Sequence, residues 1–167
     1  MTKRINEFMD MEKEYEGIIR IGATTKTYDT ESEEEDFQDT EFVNDELIKK
    51  ISSEFSGETE QTPPVYSALK HKGKPMYKFA REGKKIEVKP RTIFIKEFQV
   101  KRINETEIFF KVICSKGTYI RTLAYDFGRK LGCGGYLKTL RRTRIGEYTL
   151  MNLDEKIQGI NFRIISR

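Results

Sequence analysis

The period of apolar and polar side chains changes several times along this chain, and each change marks an element. Over residues 13–27 the sequence KEYEGIIRIGATTKT puts Ile19, Ile21 and Ala23 on one face and Ile18 and Arg20 on the other, the two-residue period of a strand. Leu47, Ile48, Ile51 and Phe55 then recur at helical spacing. Asn44 or Asp45 can cap that helix and Gly57 ends it. Thr62-Pro63-Pro64 forces extended chain, because each proline fixes its own φ and restricts the residue before it. Two further strands are predicted. Residues 89–102 carry Phe94, Phe98 and Val100 on one face, and residues 107–114 alternate cleanly through Ile108, Phe110, Val112 and Cys114, with Asn104-Glu105 as the turn between them.

Gly117 closes the last of these strands and Thr118 stands where an N-cap belongs. The best-defined element follows: Ile120, Leu123, Ala124, Phe127 and Leu131 form one buried helical stripe, terminated by Gly132 and Gly134-Gly135. Residues 136–150 return as extended chain. Two segments lack a clean period. Residues 30–40 are acidic and read as a mobile loop, and residues 70–85 read as a basic loop around a short helix at 76–82, bounded by Gly73 and Gly83. No internal repeat is present. This order predicts an α+β fold, a mostly antiparallel mixed sheet with a few helices.

Composition narrows the picture. At 167 residues the chain suits one domain; hydrophobic residues make up 37% and charged residues 35%, with a mean hydropathy of -0.66. Eleven Phe and eight Tyr supply core bulk that a disordered chain would lack. No apolar run is long enough to cross a bilayer, and no apolar segment follows Met1-Thr2-Lys3-Arg4, so a soluble cytoplasmic protein with no membrane partner is expected. Cys114 and Cys133 stand in no CxxC pair, and His71 is the single histidine. These residues cannot supply a zinc site, so two buried or half-buried free thiols are expected, with no metal and no cofactor.

Charge changes the picture more. The net charge of +4 conceals an acidic stretch over 31–60 and a basic one from Lys70 through Lys72, Lys74, Lys78, Arg81, Lys84, Lys85, Lys89 and Arg91; Arg141-Arg142-Thr143-Arg144 forms a second basic cluster. Segregated basic segments are an electrostatic footprint of phosphate binding, and equally the solvated surface of a loop. Arg121 and Tyr125 fall together on the predicted helix, away from its buried stripe. A cation in a first helical turn is disfavoured by ~0.3–1 kcal/mol when exposed. A nearby carboxylate or phosphate would offset that cost, and an ordinary solvated arginine would simply bear it.

A resemblance separates these alternatives. The stretch CSKGTYIRTLAYDFG, followed by KLGCGG and LRR, resembles the late active-site motifs of the bacterial TruB-type tRNA pseudouridine synthases. KEYEG with GATTKTYDT resembles the family's K-x-Y segment and the G-x-x-T-x-T-x-D strand after it, and QTPPVYSALKHKGKPMYKFAREG resembles its thumb loop. The blocks agree in order and spacing over roughly residues 3–150. The resemblance implies that residues 1–150 are the C-terminal part of a pseudouridine synthase catalytic domain, with the thumb at about 61–91, and that 151–167 are a short tail with no added RNA-binding domain.

The implied activity is isomerisation of the T-loop uridine of tRNA to pseudouridine, which requires the base to leave its stack and enter a pocket. By matched position, Tyr15 is similar to the aromatic that stacks on the flipped base and has been proposed as a base in the reaction. Arg121 is similar to the arginine that pairs with the catalytic aspartate, Leu140 to the apolar residue packing on the target base, and Tyr119 to a pocket-lining residue. Without the resemblance Tyr15 reads as a strand tyrosine, and Leu140 and Tyr119 as core. The implied RNA clamp comprises Tyr66, Lys70, Lys72, Lys74, Tyr77 and Arg81 on the thumb, with Arg141 and Arg142.

One departure matters. The family's nucleophile is an aspartate in a G-H-x-G-T-L-D-P block preceding K-x-Y, and no such block occurs in these 167 residues. Asp10, Asp29 and Asp126 belong to other segments. The chain is therefore expected to be truncated relative to its family, inactive alone, and open to self-association through an exposed sheet edge. A non-catalytic tRNA-binding module is the alternative reading, and a fragment without function is a third.

Overall fold

The computed structural model describes residues 11–67, 70, 71, 74–76 and 88–149. The elements, in chain order, are β1 (Lys13–Ile21), β2 (Thr24–Thr25), β3 (Glu34–Glu35), α1 (Asp45–Ser53), β4 (Gly57–Gln61), β5 (Lys70–His71), β6 (Lys74–Pro75), β7 (Arg91–Arg102), β8 (Glu107–Cys114), α2 (Ile120–Leu131), β9 (Gly135–Ile145) and β10 (Tyr148–Thr149). Six of the strands form one sheet in the order β10-β9-β1-β8-β7-β4, with antiparallel neighbours throughout. Two small antiparallel pairs, β2-β3 and β5-β6, stand apart from it. The fold is α+β as the pattern predicts.

The core lies on one face of this sheet, under both helices. Ile19, Ile21, Ile95, Ile108, Phe110 and Val112 from the strands meet Ile48, Leu123 and Phe127 from the helices, all of them buried. Phe55, Phe98 and Phe127 pack edge-on or tilted with centroids 5.5–5.9 Å apart, the arrangement favoured by aromatic quadrupoles. Each such side chain contributes roughly 1.5–3 kcal/mol by leaving water. Cys114 and Cys133 are both buried and free, and burial pushes the Cys114 thiol up to about 11. At neutral pH that thiol is protonated and unreactive.

Several expectations are corrected by local geometry. Phe94 is not on the face of Phe98: it is half-exposed, while Ile93 and Ile95 are buried. The pairing of β7 with β8 shifts register between Ile95 and Glu97, and this bulge moves the inward-facing set from odd to even positions before Phe98. The N-cap of α2 is Tyr119, not Thr118. Its backbone is held by a side chain from β4, since Gln61 accepts from the Tyr119 amide at 2.8 Å and donates to its carbonyl at 3.1 Å. The Thr118 hydroxyl instead donates back to the Ser115 carbonyl. Asn44 does cap α1, accepting from the Leu47 amide.

The acidic stretch is docked rather than loose. β3 pairs with β2, Glu34 accepts from the Tyr136 hydroxyl at 2.7 Å, and the Arg20 guanidinium lies 3.4 Å from Glu34. The strand predicted over 13–27 breaks after Ile21 and resumes as β2, which lets the chain turn back on itself here. The short helix expected at 76–82 lies outside the described residues except for Met76, which is buried, and the tail at 151–167 lies wholly outside them.

Candidate active site

β1 is the strand on which the site is built, and Gly17 is the residue that lets its neighbours close in. A Cβ at Gly17 would stand 2.1 Å from the Thr139 carbonyl and 2.9 Å from the Phe110 ring, so only glycine fits between β9 and the core. Two residues earlier, Tyr15 shares that face. Its register partner on β8 is the buried Val112 and its partner on β9 is Arg142, while Gly17 stands opposite Leu140. Tyr15, Leu140 and Arg142 are thus brought to one face of the sheet, the face that carries the core.

The helices cover this face only part of the way along β9. Leu137 is 7% exposed and Leu140 is 46% exposed, so the apolar floor becomes open to solvent within a single turn of pleat. Tyr15 is half-buried at this border and packs on the core. Burial, the largest influence, raises the Tyr15 phenol above its ordinary value, and the charge and hydrogen bond of Arg142 act against it. Arg141 faces the opposite side, where its register partner is Glu16, so the two arginines do not act as one patch. Arg144 is committed elsewhere, lying 2.8 Å from Glu12 and 3.7 Å from Glu14.

Arg121 stands in the first turn of α2, largely buried, and its guanidinium has two partners from distant parts of the chain. One terminal nitrogen donates to Asp29 at 3.0 Å, and the other donates to the backbone carbonyl of Tyr66. Asp29 is itself held in place. It accepts from the Thr27 hydroxyl and the Glu31 amide, in a turn where Tyr28 takes the left-handed conformation at φ 64°. The Tyr28 ring stacks on Tyr125 with centroids 3.9 Å apart, which ties the turn to the next turn of α2 beyond Arg121. A bridge between Asp29 and Leu137 fastens the same turn to β9.

The partnership with Asp29 escaped the sequence reading, which left Asp29 in a strand block. The available signal was the first-turn cation of α2, which calls for a carboxylate. Tyr119 stands at the start of α2, where its backbone bonds to Gln61 and its carbonyl also accepts from the Leu123 amide at 3.0 Å. Lys70 and Lys74 belong to the small β5-β6 pair, whereas Lys72, Tyr77 and Arg81 lie outside the described residues. Among the described residues, no cluster of side chains is arranged to hold a metal ion, and no helix is long and apolar enough to cross a membrane.

The assembled features are an open apolar floor beside a half-buried tyrosine, an arginine held by a carboxylate, and cations at the border. Comparison with known proteins gives the family. Residues 1–120 match the TruB family pseudouridylate synthase N-terminal domain, and residues 121–158 match the tRNA pseudouridylate synthase B C-terminal domain. The chain belongs to the TruB family of pseudouridylate synthases.

A protein of Flavobacterium johnsoniae named tRNA pseudouridine synthase B is 48% identical over 151 residues, covering 90% of this chain and 66% of that protein. One of the same name from Chlorobaculum tepidum is 41% identical over 163 residues, covering 95% of this chain and 68% of the relative. The chain thus spans about two thirds of the length of these relatives. A crystal structure of a Cbf5–Nop10–Gar1 complex matches 88% of this chain and 34% of its own chain at 26% identity, with a TM-score of 0.61.

Proposed function

We infer that this chain is the uridine-holding and RNA-clamping side of a tRNA pseudouridine synthase site that acts on the T-arm. One observation carries this reading: Tyr15 and Leu140 share an open apolar border of the sheet, which offers a π-face and a floor to an unstacked base. The names of the curated relatives supply the substrate class. In this reading Tyr15 stacks on the flipped uracil, Leu140 supports it, and Tyr119 lines the pocket. Arg121 presents its remaining N–H donors to the nucleophilic carboxylate of the family, after Asp29 and Tyr66 have fixed its orientation.

No aspartate among the 167 residues matches that nucleophile. A polypeptide of this sequence is therefore expected to bind a T-arm hairpin without converting its uridine. Electrophoretic or anisotropy titration of the hairpin, with mass-spectrometric analysis of the recovered nucleosides, tests both halves. Affinity should fall steeply between about 50 and 200 mM salt as lysines and arginines displace counterions. Replacing Lys70, Lys72 and Lys74 together should weaken binding at least tenfold and flatten that dependence by roughly two units of slope. Unchanged affinity in the triple variant would remove the thumb from the clamp, and pseudouridine in the product would show that another group serves as nucleophile. The outer edge of β9 carries β10 only at Arg144 and Ile145 among the described residues, which supports self-association as a further reading to be checked by light scattering.

A further inference from the structure

The chain that leaves β4 is fastened to the start of α2 at two points. Gln61, the last residue of β4, gives its side-chain amide to the backbone of Tyr119, accepting at 2.8 Å and donating at 3.1 Å. Further along, the Tyr66 carbonyl accepts from the Arg121 guanidinium. Thr62-Pro63-Pro64 lies between the two points. Both prolines are buried, offer no N–H to the sheet and hold the segment extended. Positions 119 and 121 are thus tied to the two ends of one stiff stretch of chain.

Gln61 is 5% exposed, and a buried amide costs stability unless both its polar atoms are paired. Here both are paired on the same residue, so the side chain meets Tyr119 much as a neighbouring strand would. The Tyr119 side chain makes no capping bond, and α2 has no acidic residue in its first turn. The turn before it is fixed separately. Ser115 and Phe94 of β7 exchange two bonds, at 2.8 and 2.9 Å, and the Thr118 hydroxyl donates to the Ser115 carbonyl. A local Ser, Asn or Asp at the N-cap would serve helix stability alone. This cap comes instead from 58 residues away, and it acts beside the base site. β8 ends at Cys114, two residues past Val112, the partner of Tyr15, so the chain runs from that border to Tyr119.

We propose that Gln61 is a positioning residue for base capture: by fixing the Tyr119 backbone it sets the first turn of α2, with Arg121, against the Tyr15 face. This rests on the reading in which Tyr15, Leu140 and Tyr119 receive the unstacked uracil, and it deepens that reading by one residue. Tyr119 keeps extended backbone, at φ -90° and ψ 106°, where the chain turns into helix. The direction of its side chain depends on that junction staying in place. Being buried, Gln61 meets no RNA itself and acts only through Tyr119. Its influence is therefore confined to the nucleotide whose base enters the pocket, and the rest of the hairpin is bound without it.

Gln61→Ala and Gln61→Glu test the role, with Glu58→Gln, exposed on the same strand, as the control. Each is titrated against a T-arm hairpin with its target uridine and against the same hairpin lacking that base. Gln61→Ala is expected to lose roughly three- to tenfold in affinity for the first hairpin, the effect of one or two hydrogen bonds. Its affinity for the abasic hairpin should stay at the parent's level, and the control should match the parent on both. Gln61→Glu supplies the rescue. At about pH 8 its carboxylate accepts from the Tyr119 amide but has no proton to donate, so the base-dependent affinity falls. Toward about pH 5 the buried carboxyl takes up a proton, regains the donor and restores the affinity. Equal losses toward both hairpins, or none toward either, in variants shown to be folded by circular dichroism, would overturn the role of Gln61 and leave the T-arm reading standing. Should Gln61→Ala fail to fold, a ratio of the two affinities that stays constant with pH in Gln61→Glu would overturn it equally. Absence of hairpin binding by the unaltered protein would overturn both.

Discussion

Arg121 shows how a single residue ties sequence, fold and chemistry together. A cation in the first turn of a helix works against the dipole, and Asp29 offsets this at 3.0 Å while the Tyr66 carbonyl takes a second donor. Both charged side chains are about four-fifths buried, so removing one partner strands the other in a poorly solvated place. Asp29→Asn is expected to lower unfolding free energy by about 1–3 kcal/mol in urea titration. A variant as stable as the parent would mean that the pair contributes orientation alone. Arg121 itself was legible in the sequence, through its position in the helix and the GTYIR resemblance. Its partner was not, because the pair is separated by 92 residues and no spacing rule in one sequence specifies such a contact. The same holds for Gln61, whose side chain does at Tyr119 what a local cap would otherwise do.

At the scale of elements, period was a sound guide wherever the pairing stayed regular. The buried stripe of α2 and the alternation of β8 both follow the pattern, since neither element contains an irregularity. β7 departs from it at a bulge, which reverses the facing of every residue beyond and so hides Ile93 and Ile95 rather than Phe94. The acidic stretch was misread for another reason: it pairs with β2 and β9 through hydrogen bonds and ion pairs, which leave no apolar period to detect. Packing between elements is equally silent in the sequence. Gly128 of α2 approaches the start of β9 so closely that a Cβ would lie 2.3 Å from the Gly135 nitrogen. In an isolated helix Gly→Ala is worth about 1 kcal/mol of stabilisation. Here the sign reverses, because backbone rather than a flexible side chain must give way. Gly128→Ala should destabilise the protein by roughly 1–3 kcal/mol in thermal or urea unfolding. A stabilised variant would show that α2 and β9 are less tightly apposed.

Across the whole molecule, the sheet places a structural ion network next to the Tyr15 border. Arg144 holds Glu12 and Glu14 across β1 and β9, with Thr143 and Lys111 also on Glu14. For Glu12 the Arg144 hydrogen bond is the largest influence and brings the carboxyl below its ordinary value of 4.5. For Glu14 burial is the largest influence and acts upward, but Thr143, Lys111 and Arg144 together outweigh it and the net direction is again down. Carboxylates lowered in the folded state contribute stability that is fully present above 4.5 and is lost as pH falls through the folded values. The melting temperature should therefore drop as pH is lowered below 4.5, and Glu14→Gln should make that drop shallower. An identical pH profile in the variant would place the acid sensitivity elsewhere. Arg144 is engaged in this network while Arg142 stands opposite Tyr15, so one basic cluster in the sequence is divided between two surroundings in the fold.

The central claim is that the Tyr15 face receives an unstacked base, and a double-mutant cycle tests it most directly. Binding is measured for the parent protein and Tyr15→Ala, each against a T-arm hairpin with its target uridine and the same hairpin lacking that base. The energy of unstacking the nucleotide is common to both proteins and cancels. A coupling of about 1–3 kcal/mol between the tyrosine and the base is the predicted result. A coupling of zero, with Tyr15→Ala weakening both hairpins equally or neither, would contradict the account.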